Sequence, residues 1–138
     1  METMTADKAF AKIKDRAESI KNDDAHRIET MSVGDSWRQG DLYITRIAGV
    51  PKGAKKMAAA RLQLAPGDTQ GSRHILDSDA GLTMFDAPNA TAIDGPIFQT
   101  TERRTVTHPE HGDVSLPPGC YAVTYQRAFA DELRAQRD

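Results

Sequence analysis

The chain has 138 residues, with 18 basic against 20 acidic residues and a formal net charge of −2. That length suits one domain and is short for two, and the charge balance argues against a dedicated nucleic-acid binder. Leu, Ile, Val and Phe total only 24 residues, which predicts a folded chain with a thin core.

Residues 5–21 place Phe10, Ile13, Ala17 and Ile20 at steps of three and four. This spacing predicts an amphipathic N-terminal helix, and Lys21-Asn22-Asp23-Asp24 reads as the linker that closes an N-terminal unit over residues 1–25. The segment has no apolar run of signal-peptide type, and no stretch of the chain approaches the roughly 20 apolar residues of a membrane helix. With a single cysteine, Cys120, no internal disulfide is possible. Together these features predict a cytoplasmic protein with no membrane partner.

From residue 26 the period changes to two. Strands are predicted near 27–33, 41–48, 58–65, 73–77, 82–86, 96–101, 104–108, 113–116 and 120–127. Gly, Pro, Asn and Asp punctuate them, as at Pro66-Gly67-Asp68 and Pro117-Pro118-Gly119. Many short strands at this spacing predict a mainly β domain over residues 26–127, of the antiparallel jelly-roll or barrel type. No window between Gly34 and Pro117 supplies crossover helices for a parallel sheet. In the last strand Tyr121, Val123 and Tyr125 share one face, and Cys120, Ala122 and Thr124 the other. Residues 128–138, with Phe129 and Leu133 four apart, read as a short terminal helix or tail.

The most suggestive chemistry lies in Thr107-His108-Pro109-Glu110-His111-Gly112-Asp113. Proline in second place predicts a turn over residues 108–111 that brings the two histidines together. His74 then adds a third imidazole. Three histidines, or two with a carboxylate, are the ligand set of a zinc or iron site. The alternative is that His108 and Glu110 are turn residues and His111 bonds to backbone, with no cofactor. Arg73 and Glu110 are candidate binding residues beside the histidines, and Trp37 is either a binding-face aromatic or a cap over one end of the sheet. Residues 67–74 lack phosphate-loop spacing. Cys120 has no histidine beside it in sequence and reads as a buried, inert thiol. No Gly-x-Ser-x-Gly supports a serine hydrolase.

Two resemblances follow from these segments. Pro66 to Gly81, and Gly112-Asp113-Val114-Ser115-Leu116-Pro117-Pro118-Gly119, resemble the cupin-type small jelly rolls in architecture. Gly112 and Pro118 have the spacing of the second cupin motif. The metal ligands of that family do not carry over, because its first slots fall on Arg73 and Ile75. The end of the chain, Thr107-His108-Pro109-Glu110-His111 through Leu116-Pro117-Pro118-Gly119-Cys120-Tyr121-Ala122-Val123-Thr124-Tyr125-Gln126-Arg127, resembles a group of small uncharacterised bacterial proteins, a likeness that implies no activity.

The expectation is therefore a non-enzymatic binding or assembly subunit that relieves its thin core as a homo-oligomer or on a partner protein. The alternative is a metal-dependent enzyme, cupin-like and hydrolytic or isomerase-type, using His74, His108 and His111.

Overall fold

The computed structural model describes residues 25–127. The helix expected over 5–21 and the terminal helix or tail expected over 128–138 lie outside those residues.

Ten strands follow in chain order: β1 (His26–Arg27), β2 (Ser36–Gln39), β3 (Leu42–Ile47), β4 (Lys55–Lys56), β5 (Ile75–Leu76), β6 (Leu82–Asp86), β7 (Asp94–Thr100), β8 (Arg104–Thr107), β9 (Val114–Leu116) and β10 (Gly119–Tyr125). They form two sheets. One has four strands in the order β1-β9-β8-β5; the other has six in the order β2-β3-β10-β7-β6-β4. The fold is mainly β, as expected, but the expected barrel does not close. Every pairing between these strands is antiparallel except that of β1 with β9. Between β4 and β5 the helical element is a single 3-10 turn, Gln70–Ser72.

The topology has a simple logic. β5 continues into β6, β7 into β8 and β9 into β10, and each passes from one sheet to the other. β6 pairs with β7 where β5 pairs with β8, and β8 pairs with β9 where β7 pairs with β10. Strand pairs thus bend across both sheets, and the bends are the corners of the sandwich. At one corner the Tyr121 hydroxyl donates to the Pro117 carbonyl at 2.6 Å. At another, the Arg103 guanidinium donates to the Ser115 carbonyl at 3.0 Å.

The two inner faces pool their apolar side chains. Leu76, Val106 and Val114 come from the four-stranded sheet, and Ile44, Phe98 and Tyr121 from the six-stranded one. Phe98 and Tyr121 stack with ring centroids 5.2 Å apart, a contact of about 1 kcal/mol beyond area burial. β10 follows its predicted alternation, with Tyr121, Val123 and Tyr125 in the core.

Two predicted strands are corrected. Of 27–33 only the start pairs, as β1 (His26–Arg27). Of 58–65 only Gln63 makes a bridge, to Ile75, because the three alanines at 58–60 supply little side chain for a sheet face. β2 and β4 were not expected. β2 forms because Gly40 takes φ +60° and closes a two-residue hairpin onto β3, with Gln39 opposite Leu42, a turn that glycine in first place favours.

Candidate functional site

The ends of several elements converge at one end of the four-stranded sheet. His74 precedes β5, His108 follows β8, and His111 ends the turn that leads to β9. The hairpin tip between β2 and β3 brings Gln39 and Gly40 to them. The three histidines singled out in the sequence do come together. The rings of His74 and His108 lie 4.3 Å apart between centroids, and those of His108 and His111 4.7 Å apart. His74 and His108 are buried, His111 exposed.

The hydrogen bonds fix what these rings can do. Gln39 is buried, and its amide nitrogen donates to the carbonyls of Val106 at 3.0 Å and Gly112 at 2.7 Å. Both amide protons are then used, so the Gln39 oxygen is the atom that faces His74 Nδ1, at 2.8 Å. Nδ1 of His74 must therefore carry the proton. Its Nε2 is a buried lone pair with no hydrogen-bond partner. Burial is the main reason that its pKa is lowered to about 4, with His108 and His111 adding to the effect. The ring is neutral at pH 7.

His108 is the opposite tautomer. Its Nδ1 accepts the backbone N–H groups of Glu110 and His111, both at 3.1 Å, which leaves the proton on Nε2, aimed at the Gly71 carbonyl at 3.4 Å. The Asp113 carboxylate accepts the His108 N–H at 3.2 Å. The turn predicted around Pro109 is therefore held by the His108 ring itself, as an Asn or Asp side chain holds a turn. His111 lies over Gly40, where an added Cβ would meet its Cδ2 at 2.5 Å. Among the described residues, no group of three or more His, Cys, Asp or Glu side chains is placed to hold a metal ion.

The remaining candidates sit apart. Arg73 is exposed, with its N–H on the Gln70 carbonyl at 3.2 Å. Glu110 is exposed in the turn and reaches the cluster through its backbone. Trp37 packs against the core and stacks on His26, with centroids 4.4 Å apart and an interplanar angle of 23°, so it joins β2 to β1 and closes one side of the sandwich. Cys120 is buried, and desolvation raises its pKa.

Two features were not anticipated. One is Gln39, whose position just before a Gly-Asp hairpin turn was the available signal. The other is a pocket of about 510 Å³ lined by residues 61–66 and Tyr125. Its size lies within the range of about 300–1,000 Å³ typical of small-ligand sites. The Tyr125 hydroxyl donates to the Leu64 carbonyl at its wall, at 3.0 Å.

Residues 38–126 match a protein family described as a domain of unknown function, DUF8820. The chain belongs to this family. The DUF8820 match runs from β2 to just past β10, and so takes in Gln39, the three clustered histidines and the pocket. No curated protein and no solved structure shows significant similarity to the chain. Among the described residues no helix is long and apolar enough to cross a membrane.

Proposed function

We propose that the chain is a non-enzymatic binding or assembly subunit whose binding face is the pocket along residues 61–66. The observation that carries this reading is the pocket itself: a concave site of about 510 Å³ with Leu62, Pro66 and the Tyr125 ring beside the Arg61 guanidinium. Its lining mixes apolar side chains with polar groups that can orient a ligand. The bonding of the histidines supports the same reading. The Nδ1 of His108 is spent on holding its own turn, and His111 is exposed. The bent strand pairs support a jelly-roll reading of the architecture.

The test is a fragment and short-peptide screen read by amide chemical shifts. Binding that perturbs residues 61–66 and Tyr125, and is lost in Leu62→Arg, supports the reading. A screen in which no compound perturbs this face sinks it.

A second reading, a metal-dependent enzyme, is favoured by one observation. His74 has Nδ1 held by Gln39 and a buried, unpartnered Nε2, which is how metal-binding histidines are oriented by their neighbours. Stoichiometric zinc or iron in purified protein, lost in His74→Ala, would establish this reading in place of the first.

A further inference from the structure

Residues 61–65 run along the outer margin of the four-stranded sheet. The Leu64 N–H donates to the His74 carbonyl at 2.7 Å, and the Leu76 N–H donates to the Leu62 carbonyl at 2.8 Å. Gln63 sits between them as the bridge partner of Ile75. In an extended segment, successive residues turn their main-chain groups to opposite sides. The Leu62 C=O and the Leu64 N–H turn toward β5 and its flank, so the Gln63 N–H and C=O, which share their peptide groups, turn away from the sheet. Among the described residues neither group has a hydrogen-bond partner. The pocket opens beside this margin, and exposed Arg61 stands at its start with no ion pair among the described residues.

Two of the other margins, those at β4 and β1, are guarded. β4 presents two exposed lysines, Lys55 and Lys56, the usual guard on a sheet edge. β1 is only two residues long, and His26 on it is closed against Trp37. The 61–65 margin combines the outward main-chain groups of Gln63, whose side-chain amide covers the neighbouring Ala65 carbonyl at 2.7 Å, with a pocket beside them; these are the two parts of a strand-addition site, and Arg61 adds a positive charge to it.

We propose that the 61–65 margin docks an extended acidic peptide segment of a partner protein. The peptide pairs with the main chain of Gln63, seats one apolar side chain in the pocket, and sets a carboxylate against Arg61. This rests on reading the pocket as the binding face and goes beyond it by naming the ligand class. The choice of an acidic peptide follows from charge complementarity, because Arg61 is the charged residue of the pocket wall.

The experiment uses the full chain with two labelled hexapeptides, one alternating valine with glutamate and one alternating valine with lysine. Fluorescence anisotropy gives affinity, and amide hydrogen exchange gives the site. The glutamate peptide is expected to bind at least tenfold more tightly than the lysine peptide. Its binding should protect the Gln63 amide, and Arg61→Glu should reverse the preference. Gln63→Pro, which removes the outward N–H, should weaken binding at least tenfold, with a thermal melt to show that the variant folds. Failure of both peptides to bind overturns the proposal. Small-molecule shifts at Leu62 and Tyr125 without protection of Gln63 overturn strand docking but leave the binding reading standing.

Discussion

The Nδ1–H of His74 donates to the side-chain oxygen of Gln39 at 2.8 Å, and the two residues come from different sheets. Gln39 ends a strand of the six-stranded sheet, and His74 leads into the outer strand of the four-stranded one. Through Val106 and Gly112 the same amide also reaches β8 and the start of β9. One side chain therefore ties three parts of the second sheet to the first.

Gln39→Leu keeps the approximate volume and removes every one of those bonds. It strands the buried His74 N–H and withdraws one donor each from the Val106 and Gly112 carbonyls, and a buried group left unpaired costs about 1–3 kcal/mol. The expected loss is about 2–4 kcal/mol by urea denaturation, since partial rehydration of Gly112 relieves some of it. A change below about 0.5 kcal/mol would mean that the amide is not the tie.

Acid should act through His74. Its pKa is lowered from 6.5 to about 4 in the folded chain, so the unfolded chain takes up the proton first as pH falls. The neutral form supports the fold fully above about pH 6.5, the support is lost progressively between about 6.5 and 4, and it changes no further below that. A shift of this size corresponds to about 3 kcal/mol. Urea melts at pH 7 and pH 4 on the wild type and on His74→Gln measure it, because other acidic groups titrate in both proteins. The variant should lose less stability over this interval.

Gly40 and Gly112 separate backbone strain from ring contact. Both have positive φ, +60° and +79°. An alanine Cβ meets His111 at Gly40 but nothing within 4 Å at Gly112. Gly112→Ala should cost about 1–2 kcal/mol from the backbone alone. Gly40→Ala should cost about 1 kcal/mol or more beyond that, and should shift the His111 ring resonances. Equal costs in thermal melts would mean that His111 yields freely.

Tyr121→Phe tests the corner between β9 and β10. The hydroxyl lost is the donor to the buried Pro117 carbonyl at 2.6 Å, and the ring stays under the Arg46 guanidinium, 5.8 Å from its centroid. The expected loss is about 1–2 kcal/mol, seen as a lower urea midpoint with an unchanged slope.

Much of the architecture is legible in the sequence where side chains alternate and turns carry glycine or proline. β10 is the clearest case, since Tyr121, Val123 and Tyr125 announce a buried face. The meeting of His108 with His111 follows from Pro109 alone. The approach of His74 has no spacing signal in the sequence, and it holds because β5 and β8 pair. What the residues do not reveal is the chemistry of that meeting. The proton positions depend on Gln39, which lies 35 residues before His74 in the chain, and on main-chain N–H groups that have no sequence signature. β2 was illegible because Ser36-Trp37-Arg38-Gln39 shows no alternation. The 58–65 segment misled because Leu62 and Leu64 alternate correctly while the residues before them do not pair.

The strand pairs that bend across both sheets also govern how this chain acquires its shape. β3 pairs with β10, and β5 pairs with β8, across long stretches of sequence. Neither layer can assemble first and wait for the other, because the β7–β8 and β9–β10 segments belong to both. Formation should be concerted and slow, on the millisecond-to-second scale of chains dominated by distant contacts, with both layers gained or lost in one step.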